Sequence, residues 1–161
     1  MHIIKFRGKS LSTGEWVYGW HIREARGLIN GLPALNLSQA EIVSYIVFSA
    51  DGELQIHEVD PKTVGQYIGV NDHNAKEIFE GDIVKWDDGS AGRYWRVAQV
   101  VYMPGFWRFE IIPGKSINCF KDGRAGAFDG GSFMYLPNTS AYNNVMEIIG
   151  NIHSNPDLLT Q

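Results

Sequence analysis

Apolar and polar residues alternate with a period of two over short runs, and glycine, proline, asparagine or aspartate interrupts these runs before they reach the length of a stable helix. A chain so patterned cannot build long amphipathic helices, whose apolar stripe recurs every three or four residues, and is confined to short strands joined by turns. Eighteen glycines and twenty aromatic residues agree with that reading, because glycine serves turns and aromatic side chains suit a pleated surface. Residues 3–9 and 15–22 read as a hairpin across Ser10-Leu11-Ser12-Thr13-Gly14. In its second strand Trp16, Tyr18 and Trp20 share one face and Val17, Gly19 and His21 the other, so the aromatic ladder is expected to cover the sheet. Residues 27–40 are expected to be irregular. Ser38-Gln39-Ala40-Glu41 matches a capping box and would permit a helical turn, but the β-branched and aromatic run that begins at Ile42 reads as strand. Asp51-Gly52 then turns the chain into a strand over 54–59.

Further along, Pro61 breaks that strand and residues 63–69 alternate again. Asn71 to Asn74 form a polar reversal before residues 76–79, and a new strand starts at Ile83 after Glu80-Gly81-Asp82. A meander is expected over 94–103 and 106–112 around Pro104-Gly105, followed by a short strand at 132–136 and a closing one at 145–152. Between them, 113–144 is rich in Gly, Pro and small polar residues and reads as a long flexible or functional loop. The expected fold is mainly β with little helix: an N-terminal β meander over 1–59 and a small bent β-barrel, SH3-like, over 60–161. The two parts could form one compact unit.

Composition narrows the function classes. The lone Cys119 excludes an internal disulfide and fits a reducing cytoplasm, while no Cys/His spacing suggests zinc. MHIIKFRGK has no apolar signal-peptide core, and no run of 18 apolar residues occurs, so neither secretion nor a membrane span is expected. A net charge of −4 disfavours non-specific nucleic-acid binding, which depends on Lys and Arg neutralising phosphates.

The block Val59-Asp60-Pro61-Lys62-Thr63-Val64-Gly65-Gln66-Tyr67-Ile68-Gly69, followed by Asn74-Ala75-Lys76-Glu77-Ile78-Phe79-Glu80-Gly81-Asp82-Ile83-Val84, resembles the signature of the YopX family. Phe6-Arg7-Gly8-Lys9 with Gly14-Glu15-Trp16-Val17-Tyr18-Gly19 resembles that family's N-terminal hairpin, and Glu147 to Leu159 its C-terminal close. The resemblance implies a mainly β protein of tailed phages or prophages, found in the bacterial cytoplasm, with no established activity and no catalytic residues to carry over. Where the family has Asn-Gly, this chain has Asn74-Ala75. Alanine adopts the left-handed conformation poorly, so a looser turn than the tight two-residue form is expected.

No spacing points to chemistry. Gly114-Lys115-Ser116 has the ending of a phosphate-binding loop, but Phe109 stands where its first glycine is needed. Gly123, Gly126, Gly130 and Gly131 depart from the dinucleotide pattern. The five histidines form no ligand pair, and Glu80 and Asp82 flanking Gly81 read as turn residues rather than paired carboxylates. Hence no catalytic, cofactor-binding or metal-binding residues are expected. One surface suggests contact with nucleic acid: Lys85, Trp86, Arg93, Trp95, Arg96 and Arg108, where arginines interleave with aromatics that could stack bases. Packing of the tryptophans in the core is the competing reading, and it is preferred given the acidic whole. Self-association, with an edge of the N-terminal meander pairing or packing between subunits, and contact with an unidentified phage or host protein are the partners expected. A nucleic-acid module and an enzyme with a site under loop 113–144 are the alternatives.

Overall fold

A computed structural model describes residues 4–26, 28–29, 32–33, 41–87, 94–103, 106–111, 117–118, 132–134 and 146–159. The chain is mainly β, with two short 3-10 turns and no α-helix among these residues. It divides into two compact units, Met1–Tyr67 and Ile68–Gln161.

In the first unit Phe6–Lys9 (β1) and Trp16–Arg26 (β2) form the expected hairpin, with Lys9 opposite Trp16 and Phe6 opposite Gly19. Glu41–Ala50 (β5) pairs with β2, and Glu53–Val59 (β6) follows across the expected Asp51-Gly52 turn and pairs with β5. Leu28–Ile29 (β3) and Leu32–Pro33 (β4) form a separate two-stranded ladder. Ser38 to Ala40, where the capping-box pattern falls, lie outside the described residues.

The strand order β6-β5-β2-β1 is continued by the start of Gly65–Asn71 (β7). This sheet curls on itself. Ser10 at the end of β1 bridges Val59 at the end of β6, and Leu11 N–H and Asp60 N–H donate to the Glu58 and Lys9 carbonyls, each at 3.0 Å. The curl requires close backbone approach. A Cβ on Gly19 would collide with the Val47 carbonyl oxygen, so only glycine fits there. On the inner face Ile46 and Val59 are wholly buried and Ser44 nearly so.

The alternation predicts the next strand from Thr63, but Pro61–Thr63 winds into a 3-10 turn and β7 begins at Gly65. The cause is local. Asp60 caps the turn by accepting from Lys62 N–H at 3.0 Å, Pro61 supplies the fixed φ of a first helical position, and Thr63 Oγ1 accepts from Lys9 N–H at 2.8 Å.

In the second unit the end of β7 pairs with Glu77–Phe79 (β8). The remaining strands are Asp82–Asp87 (β9), Tyr94–Met103 (β10), Phe106–Ile111 (β11), Ile117–Asn118 (β12), Ser132–Met134 (β13) and Glu147–Asn151 (β14). Their order is β13-β11-β10-β9-β14, with β12 also on β10. Ala98 stands opposite Val84 and Val97 opposite Lys85. Period two therefore sends Val84, Ala98 and Val100 to one face, where they pack with Ile68, Val70, Ile78 and Met146. Ile83 and Val97 go to the other face, against Ile149, Ile152 and Leu158. Packing on both faces explains why β9 and β14 carry consecutive apolar residues, Ile83-Val84 and Ile148-Ile149, instead of alternating. The expected SH3-like barrel is not closed among the described residues, whose strand order runs open from β13 to β14.

Candidate functional site

The second block of the family signature, Asn74 to Val84, lies in the second unit, where Gly81 and Asp82 serve backbone geometry. Gly81 takes a left-handed φ of 83°, which lets the chain turn between β8 and β9. Its N–H donates to Val100 O and its carbonyl accepts from Ile152 N–H, both at 2.9 Å. The adjacent Asp82 is buried, with Oδ2 accepting from Phe79 N–H at 2.9 Å and Oδ1 from Asn151 Nδ2 at 3.3 Å. Asn151 in turn accepts from His153 N–H at 2.9 Å, and Asn155 Oδ1 accepts from Asn151 N–H at 3.2 Å. This network holds Glu80-Gly81-Asp82 to the C-terminal segment.

A second carboxylate acts in the same way. Asp72 Oδ1 accepts from Asn74 N–H at 2.8 Å and Lys76 N–H at 2.9 Å, while Oδ2 accepts from Ile148 N–H at 3.2 Å. His73 N–H donates to Met146 O at 2.9 Å, and its ring Nδ1 lies 3.0 Å from the same oxygen. Charge-assisted bonds of this type contribute about 1.5–3 kcal/mol each where buried. Asp72 and Asp82 are thus anchors that join chain segments far apart in sequence.

The loop they frame is informative. Ala75 N–H donates to Asp72 O at 3.0 Å and Asp72 N–H to Lys76 O at 2.8 Å, leaving three residues in the loop, the last of them Ala75 at φ 63°. The turn is looser than the two-residue form, as the sequence reading holds. Even so, alanine carries the left-handed conformation that glycine would adopt freely.

The face of the first unit opposite its buried side has a different character. Trp20 is 72% exposed, Leu54 67% and Ile56 61%, and Tyr18 and Ile22 are exposed as well. Register gathers them: Trp20 lies opposite Val47, which lies opposite Ile56, and Tyr18 and Ile22 flank Trp20 on the same side of β2. The aromatic ladder lies over the sheet, as expected, on its outward face. The sheet buries its other face because the curl needs the small Gly19 there, leaving the ladder outward.

Cations sit at the margins of this face. Arg7 is buried with its guanidinium 4.7 Å from the Trp16 ring centre, and the Lys5 ammonium is 5.7 Å from that of Tyr18. Arg26 lies 5.3 Å over Tyr45, hydrogen bonds the Tyr45 hydroxyl, and pairs with Glu24 at 3.2 Å and Glu58 at 3.9 Å. On the inner face His21 packs against Phe6, with ring centres 5.4 Å apart, and its buried Nε2 has no hydrogen-bond partner among the described residues. Burial, and secondarily the nearby Arg23 charge, lowers its pKa below the ordinary 6.5.

The basic and aromatic surface expected near 85–108 is distributed as follows. Lys85 is ion-paired with Glu147 at 2.8 Å. The backbone register sets Trp86 opposite Arg96 and Trp95 opposite Asp87, while Arg108 pairs with Val101 and Met134 on the far side of β10. Arg93 lies outside the described residues, as does most of loop 113–144. The exposed ladder is the surface that sequence reasoning missed. Its signal is a strand whose second face, Val17, Gly19 and His21, carries a glycine at the centre.

Among the described residues no group of three or more His, Cys, Asp or Glu could hold a metal ion, and no helix is long and apolar enough to cross a membrane. A family model described as YopX protein matches residues 5–160. No curated protein matches the chain. Among solved structures the chain is similar to the crystal structure of protein EF1440 from Enterococcus faecalis, with 22% identity, 99% of each chain covered and a TM-score of 0.45.

Proposed function

We propose, from the premise that the chain belongs to the YopX family, that it is an accessory protein of a phage or prophage that catalyses no reaction and acts by contact with another protein chain. The phage origin and a place in the bacterial cytoplasm rest on what family membership implies. The contact reading rests on one observation, the continuous outward face of Tyr18, Trp20, Ile22, Leu54 and Ile56. Side chains of this size at these exposures present roughly 600 Å² of surface, at the upper end of the largest apolar patch of an ordinary monomer, where such patches are often functional. The buried carboxylates add indirect support. With their oxygens engaged by backbone and amide donors, Asp72 and Asp82 fit an anchoring role better than acid–base chemistry.

The test places a photoreactive benzoylphenylalanine at Trp20 and, as a control, at the exposed Lys62 on the 3-10 turn. Irradiated cells producing the protein should give covalent adducts with a protein chain from position 20 and not from position 62. Equal or absent cross-linking at the two positions contradicts the reading.

A further inference from the structure

We infer that the chain covering this face is a second copy of the same protein, an inference that rests on the reading of the face as a docking surface. The exposed centre of the face, Tyr18, Trp20, Ile22, Leu54 and Ile56 around the buried Val47, carries no charge. An apolar aromatic centre with a charged rim is the anatomy of subunit contacts, most of all between identical chains. The rim is also self-complementary. Lys5 and Lys9 border the face along β1, whereas Glu24 and Glu58 flank the single Arg26 on the side of the long β2 and β5 ends. The rim therefore carries both signs, and Lys9 lies beside Glu58 and Asp60 where β1 meets β6. A rim of both signs can meet its own copy across a two-fold axis with unlike charges opposed.

Area sets the strength. Two such faces would bury roughly 1,200 Å², the lower end of the range for stable specific interfaces, so the dimer is expected to be reversible with a dissociation constant in the micromolar range. A polyanion is the less suitable occupant. The whole chain carries −4, Arg26 is matched by two carboxylates, and Lys5 and Arg7 already lie over aromatic rings.

Sedimentation velocity on the full chain, from sub-micromolar to high micromolar concentration, reads the association directly. The wild type should pass from monomer to dimer, and Trp20→Ser with Ile56→Ser should weaken the dimer at least tenfold while circular dichroism shows the β fold retained. A charge exchange guards against a merely structural effect. The Lys5→Glu, Lys9→Glu chain and the Glu24→Lys, Glu58→Lys chain should each associate more weakly alone than when mixed.

A wild type that stays monomeric at every concentration overturns the inference, as does an oligomer indifferent to the Trp20 and Ile56 changes. If position 20 then still cross-links to some other protein, the docking surface stands with a different occupant. If it cross-links to none, both readings fall. Salt-sensitive oligonucleotide binding that requires Trp20, with no self-association, would assign the face to nucleic acid and overturn the inference as well.

Discussion

Two residues carry local costs that can be measured. Ala75 holds φ 63° in the loop anchored by Asp72, where an L side chain is opposed by about 1–2 kcal/mol and glycine is not. Replacing it with glycine relieves that strain but adds freedom to the unfolded chain, so Ala75→Gly should gain about 0.5–1 kcal/mol. An upward shift of the urea midpoint at unchanged slope would show this, and a loss of stability would contradict the loop geometry. His21 places a neutral imidazole on the inner face, its pKa lowered first by burial and then by Arg23. A depressed folded-state pKa means that stability is full above the unfolded value near 6.5, declines as pH falls below it, and levels off beneath the folded pKa. Urea titrations across that window should show the decline in the wild type and a shallower one in His21→Phe. The same slope in both proteins would remove His21 as the cause.

The strands themselves were largely legible, since β-branched and aromatic runs between turn residues give β1, β2, β5, β6, β10 and β11 nearly as they stand. Period two, however, assigns side chains to two faces without saying which face is inward. For β2 bulk pointed to Trp16, Tyr18 and Trp20 as the covering side, while the curl of the sheet selected Gly19, where β5 comes closest. The 3-10 turn at Pro61–Thr63 was written in Asp60-Pro61, a cap followed by a first-turn proline, and was masked by the alternation around it. Long-range anchors such as Asp82 to Asn151 and Asp72 to Ile148 join segments about seventy residues apart, a proximity that no local pattern encodes. At this scale Gly19→Ala is the informative change. Its methyl would meet the Val47 carbonyl, and forcing β2 and β5 apart should cost about 2–3 kcal/mol in urea unfolding. A loss below about 0.5 kcal/mol would mean that the sheet is less tightly curled than its hydrogen bonds imply.

For the whole molecule, the signature residues and the exposed ladder divide the work. Of the former, Asp82 and the left-handed Gly81 hold the second unit, and the latter leaves an apolar face on the first unit that water does not favour. What the sequence could not convey at this scale is exposure, which depends on how strands curl and not on which residues they contain. An apolar face of this kind is expected to be covered when the protein is at work. Hydroxyl-radical footprinting, in cells producing the protein and on dilute purified chain, measures this with Leu11, exposed but off the face, as the internal standard. Trp20 and Ile56 should be modified readily in the dilute protein and protected in cells, with Leu11 modified in both. Equal modification of Trp20 in the two settings would contradict the account.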